Sequence, residues 1–166
     1  MAQAFSPQAD AEIEAILKRY PDRLAALIPT LWVAQREFGW ISPETMELVA
    51  RRLEVAPAKV VATATFYTMF HKKPVGRHHV QVCRNISCYL RGADEVTAAA
   101  AAKLGIRPGE TTADGRFTLE EVECLAACGR GPVVQVNADY HEWQTAESVA
   151  ALLDQLAALP APKGAV

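Results

Sequence analysis

No Gly-x-Gly-x-x-Gly occurs in the 166 residues, so nothing in the chain announces a crevice for a dinucleotide. Cys-x-x-Cys is missing as well, and with it the pair whose depressed pKa drives thiol-disulfide exchange. Long apolar runs are absent. The longest, such as Val96 to Ala102 and Val60 to Ala64, fall far short of the ~20 residues that cross a bilayer, so direct membrane insertion is not expected. There is no basic excess either. Seventeen Lys and Arg against nineteen Asp and Glu leave a net charge of -2, and the cations are scattered, which excludes the basic face that a nucleic acid requires. Met1 to Asp10 shows neither a basic start with an apolar run nor a small-residue cleavage site; the expectation is an intracellular protein in a reducing compartment.

What the chain does have is apolar material, 51% of its residues, enough to bury a core. The first half reads as helix after helix. Ser6 caps one with Pro7 in its first turn, carrying the stripe Ile13, Ile16, Leu17 and Tyr20 up to Pro21. Leu24, Leu27, Ile28, Leu31, Ala34 and Phe38 mark a second that stops at Gly39, with Pro29 bending it or delaying its start. Ser42-Pro43-Glu44 opens a third and Ala56-Pro57 a short fourth. Together they predict a small helical bundle over residues 8–72. Past Pro74-Val75-Gly76 the pattern changes. Strands are expected at His79 to Cys83, Arg116 to Val122, Val133 to Val136 and Tyr140 to Trp143, with one helix over Tyr89 to Lys103 and another capped by Thr145. Pro160 begins a tail, and the second domain spans residues 77–159. The fold class is α+β.

The only cysteines are Cys83, Cys88, Cys124 and Cys128, in the spacing x4, x35, x3. Thiolates are soft ligands, and a 2Fe-2S cluster takes four of them, two per iron. Cys83 ends the first expected strand and Cys124 lies just past the second. If those strands are parallel with a helical crossover, their C-terminal ends share one sheet edge and the four thiols converge there. Close pairs then share an iron, Cys83 with Cys88 and Cys124 with Cys128. A structural zinc site, whose ligand pairs stand two to four residues apart, fits the same spacing, and two pairs of buried structural thiols would leave it without a metal.

Around the cysteines, Gly129 and Gly131 are positioned to let the backbone come close or turn unusually. Arg84, Arg91 and Arg130 either tune an anionic centre, meet a partner or are solvated surface charges. His71, His78, His79 and His141 lack the Cys-x-His pattern of a Rieske site and read as surface or loop residues. Phe66, Tyr67, Met69 and Phe70, like Trp32 and Trp40, read as packing aromatics and their neighbours.

Several segments taken together resemble one family. Ile28-Pro29-Thr30-Leu31, Ala34 through Ile41, Ala64 through Phe70, Cys88-Tyr89-Leu90-Arg91-Gly92-Ala93, Val122 through Cys128 and Gly131 through Asn137 are similar to the 24 kDa subunit of respiratory NADH:quinone oxidoreductase (complex I), the E-type subunit of the bacterial enzyme. The resemblance covers about residues 8 to 158. It implies a helical bundle followed by a thioredoxin-like ferredoxin domain, with a 2Fe-2S cluster on Cys83, Cys88, Cys124 and Cys128. It also implies a flavoprotein partner that binds NADH and FMN, other peripheral-arm subunits of complex I, and a place on the cytoplasmic face of the membrane. The role implied is electron transfer within an enzyme, with no catalytic side chain on this chain. The same module serves NAD-reducing hydrogenases and NAD-dependent formate dehydrogenases, which remain alternatives, as does a zinc-stapled interaction module. Two departures stand out: Ala126 replaces a frequent glycine, and Arg130-Gly131 replaces the usual Asn-Ala before proline.

Overall fold

A computed structural model describes residues 3–159; the tail expected from Pro160 lies outside them. The described chain divides into two compact units, one up to Pro74 and one from Val75.

The first unit contains four helices, α1 (Pro7–Leu17), α2 (Leu27–Phe38), α3 (Pro43–Leu53) and α4 (Pro57–Phe66). Ser6 and Ser42 cap α1 and α3 by accepting from the backbone N–H groups of Ala9 and Thr45. α2 begins at Leu27, later than the apolar pattern from Leu24 suggests, because Pro29 has no N–H to donate and is tolerated only in a first turn. Leu24 consequently lies outside the helices, as does Tyr20 because α1 already ends at Leu17, and both are exposed. The interior packs Ile13, Leu31, Ile41, Val49, Leu53, Val60 and Phe70 together, each worth roughly 1.5–3 kcal/mol of apolar burial. Gln35 anchors the chain after α4: its Nε2 donates to the Met69 carbonyl at 3.0 Å and its Oε1 accepts from the His71 N–H at 2.7 Å. Arg52 of α3 reaches Asp10 and Glu14 of α1 at 2.6 and 2.9 Å. Phe70 is buried as expected, but Phe66 is 77% exposed and Met69 also reaches the surface. α4 ends at Phe66, so its ring projects past the last turn and lies edge-on to Tyr67.

The second unit is built on β1 (His78–Cys83), β2 (Phe117–Val122), β3 (Val134–Val136) and β4 (Asp139–His141), in the order β2-β1-β3-β4. β1 and β2 are parallel, and the other two pairings are antiparallel. Two helices, α6 (Ala93–Leu104) and α7 (Ala146–Ala158), pack on one face against Val80, Val82, Leu119, Val134 and Val136. Alternation in β1 puts His79, Gln81 and Cys83 on the opposite face. There His79 Nε2 sits 2.7 Å from Glu120.

The helix expected over Tyr89 to Lys103 is two pieces. The four-residue α5 (Ile86–Tyr89) and the longer α6 are separated by a turn in which Gly92 takes φ +94°, a left-handed conformation that interrupts a helix at little cost only for glycine. β4 stops at His141, short of the expected strand to Trp143, because Trp143 has φ +55° and cannot continue an extended ladder. His78 and His79 are not surface residues. Both lie in β1 and are 5% exposed, and the His78 ring lies against Phe117 at a 5.1 Å centroid distance.

Candidate metal centre

Parallel pairing sets the site. Cys83 stands opposite Val122 in the register of β1 and β2, so the chain leaves both strands at the same sheet edge. Two residues beyond Val122 lies Cys124. The Arg84 N–H donates to the Val122 carbonyl at 2.9 Å and the Cys83 N–H to the Val133 carbonyl at 3.1 Å. Cys83 is therefore held between the segment that leads to Cys124 and the one that follows Cys128. Its Sγ lies 4.0 Å from the Glu123 carbonyl.

Cys88 enters from α5. Asn85 starts that turn by accepting the Ile86 N–H at 2.7 Å, and the thiol points into a small apolar pocket with Cys83, Ala93 and Val133, against which Leu125 and Ala127 pack. Cys83 and Cys88 are buried, whereas Cys124 and Cys128 are exposed, and none of the four is in a disulfide. Burial pushes the Cys88 thiol up to about 11, with further upward pressure from a hydrogen bond to Cys83 and from the charges of Cys83 and Cys128.

The loop after β2 supplies the remaining ligand candidates. Ala126 adopts φ +58° and its N–H donates to Cys124 Sγ at 3.3 Å. Left-handed backbone explains why glycine suits this position. Cys128 opens a short 3-10 turn to Arg130, and the loop is tied to the next by the N–H groups of Trp143 and Gln144, which donate to the carbonyls of Arg130 and Pro132 at 2.9 and 3.0 Å. Gly131 makes the close approach expected of it: a Cβ there would lie 3.0 Å from Cys88 Sγ. Gly129 does not, having open space around it and no left-handed φ.

Among the described residues no three Cys, His, Asp or Glu side chains are grouped as one metal ion requires. A 2Fe-2S cluster asks for two thiolates at each iron, and the donor set fits that demand. The structure brings Cys83 and Cys88 together, sets Cys128 near enough to act on Cys88, and leaves Cys124 on the same loop with an N–H on its sulfur.

Of the three arginines, Arg84 faces Glu123 at 3.7 Å and Arg130 faces Glu142 at 2.8 Å. Arg91 donates from Nε to the Gly131 carbonyl at 2.8 Å and lies 5.0 Å over the Trp143 ring. Beside them opens a cavity of about 340 Å³, lined by Arg91, Gly131, Pro132, Trp143, Gln144 and Thr145. The pairing of Arg91 with Trp143 left no trace in the sequence, because a tryptophan in left-handed backbone has no propensity signal to read.

The family described as thioredoxin-like 2Fe-2S ferredoxin matches residues 13–157. Among curated proteins, the chain is 48% identical over 147 residues to the second E-type NADH-quinone oxidoreductase subunit of Rhizobium meliloti (strain 1021), covering 89% of this chain and 88% of the relative. It is 45% identical over 146 residues to the E-type NADH-quinone oxidoreductase subunit of Rickettsia bellii (strain RML369-C), covering 86% and 87%. Among solved structures, an NAD+-reducing NiFe-hydrogenase in its air-oxidized state aligns with a TM-score of 0.67 at 22% identity, over 83% of this chain and 23% of the hydrogenase chain. That likeness concerns the fold. The chain spans under a quarter of the hydrogenase's length.

Proposed function

Since this chain belongs to the thioredoxin-like 2Fe-2S ferredoxin family, we propose that it is the 2Fe-2S electron-transfer subunit, of the E type, in an NADH-quinone oxidoreductase. The observation that carries the reading is the 48% identity to an E-type subunit over 88% of that relative's length. Cys83, Cys88, Cys124 and Cys128 are the ligands in this proposal, with the first two on one iron and the last two on the other. When bound, the cluster supplies one-electron redox chemistry.

The chain's own residues hold, shield and tune. The β1–β2 register fixes Cys83 relative to the loop that carries Cys124. Val133, Ala93, Leu125 and Ala127 exclude water from the Cys83 and Cys88 side. The Ala126 N–H donates to Cys124 sulfur and withdraws electron density from it. No side chain here is assigned bond-making chemistry. Oxidation of NADH belongs to a flavoprotein partner that carries FMN, and the assembly sits peripherally on the cytoplasmic membrane face. Among the described residues no helix is long and apolar enough to cross a membrane.

The full chain, purified under anaerobic conditions, tests the reading. Two irons and two acid-labile sulfides per chain, a visible absorption band and an EPR signal after reduction are expected. A colourless protein with stoichiometric zinc overturns it. Purification of the native assembly, followed by assays with quinone, hydrogen and formate as alternatives, tests the choice of enzyme.

A further inference from the structure

Three cations flank the cysteine loops, and they are not equivalent. Arg84 and Arg130 each face a glutamate, Glu123 and Glu142. Arg91 has no carboxylate within ion-pair distance among the described residues, and the cavity beside it contains no acidic lining residue. Its charge is therefore the uncompensated one. Its position is also distinct. Arg91 follows Cys88 by three residues in the Cys88 loop, and Gly131 follows Cys128 by three in the other. The Nε hydrogen bond to the Gly131 carbonyl at 2.8 Å thus joins one loop from each cysteine pair. That carbonyl belongs to the residue at which an added Cβ would lie 3.0 Å from Cys88 Sγ.

We propose that Arg91 is the positioning residue that clamps the two cysteine-bearing loops and, as the cation beside them that no described carboxylate pairs, raises the reduction potential of the centre. This rests on the 2Fe-2S reading. An anionic cluster that gains a further negative charge on reduction is stabilised in its reduced form by a nearby fixed cation. The planar guanidinium holds its donor in a fixed fork over the indole, which a lysine ammonium does not reproduce.

The test is an EPR-monitored redox titration of the full chain and of R91Q, R91K, R84Q and R130Q. For R91Q the reduced-to-oxidised ratio at a fixed ambient potential falls three- to tenfold. A tenfold fall is a shift of about 59 mV for a one-electron couple. R84Q and R130Q change the ratio by less than twofold, because each loses a charge already faced by a glutamate. The R91Q shift shrinks as ionic strength rises, a signature that loosened packing alone does not give. R91K keeps the ratio within twofold of native but releases iron to a chelator at least threefold faster. If R91Q shifts no more than R84Q and R130Q, or R91K releases iron at the native rate, the assignment is overturned. If R91Q loses its cluster before titration, the R91K release rate decides alone. Native chain lacking a 2Fe-2S spectrum refutes the cluster reading itself, whereas a native cluster with an indifferent R91Q refutes only the role of Arg91.

Discussion

Adding one methyl group at Gly131 gives the sharpest separation of the site from the fold. The Gly131 backbone, at φ -68° and ψ 158°, suits any L-residue, so G131A introduces no conformational strain of its own. Its cost is steric. The new Cβ meets Cys88 Sγ at 3.0 Å and Cys88 Cα at 3.4 Å, where comfortable contact needs about 3.5–4.0 Å. Cys88 has nowhere to go, since it is 2% exposed and enclosed with Cys83, Ala93 and Val133. Opening the gap by roughly 0.5–1 Å is ordinary overpacking and costs about 1–3 kcal/mol. A ligand sulfur displaced that far would no longer meet a cluster held in place by the other three thiolates. At 1.4 kcal/mol per decade, cluster retention weakens by about 5- to 140-fold. The assay is the fraction of iron retained against a graded chelator, read at the visible band, with circular dichroism confirming that the helices persist. Native iron retention and an unaltered EPR spectrum in G131A would refute the crowding argument.

Three further substitutions probe the surroundings. A126G removes a left-handed alanine, a strain of about 1–2 kcal/mol partly offset by glycine's freedom in the unfolded chain; iron release slows by up to about fivefold, and faster release would count against strain at Ala126. G76A places a Cβ within 2.7–2.9 Å of the Phe117 and Thr118 backbone. Backbone cannot yield as a side chain can, so the second unit loses about 2–3 kcal/mol, a fall of roughly 10–20 °C in its thermal midpoint, and an unchanged midpoint would show that β2 moves freely. His78 is buried beside Arg77 and Arg116 with its Nε2 unpartnered among the described residues, and its pKa is lowered, chiefly by burial. The unfolded chain takes up that proton near pH 6.5 while the folded one does not, so stability is fully present above that pH and falls as pH drops below it. H78F keeps the ring contact and removes the proton; its midpoint declines less than the native one between pH 7.5 and 5.5, and parallel declines would exclude His78 as the cause.

Much of this architecture was legible because the signals were local. Ser6-Pro7 and Ser42-Pro43 marked two helix starts, and Thr145 the last, where it forms a reciprocal cap with Ser148. Alternating valines marked β1 as a strand, and the crossover rule placed Cys83 and the Cys124 loop at one edge on the condition of parallel pairing, which β1 and β2 meet. Signals that depend on tertiary context were not legible. The alanine run from Ala98 to Ala102 favours helix, but a lone Gly92 upstream weakens a helix without fixing where it breaks, and packing settles the left-handed turn there. Burial of His78 and His79 follows from their place in a central strand; histidine carries no such preference of its own.

Strand register also changes what the 35-residue interval between Cys88 and Cys124 means. The distance between the two loops is set by the six residue pairs of β1 and β2, from His78 with Phe117 to Cys83 with Val122, and not by the length of chain joining them. Thr112 to Gly115 forms a turn closed by the Gly115 N–H on the Thr112 carbonyl at 2.8 Å, outside the crossover helix and the paired strands. Residues inserted at that turn lengthen the interval without shifting either cysteine, at a loop-closure cost that grows only logarithmically. One residue inserted within β2 instead turns Leu119 out of the core and displaces Cys124 by a strand step. An insertion series therefore separates permissible length from obligatory phase.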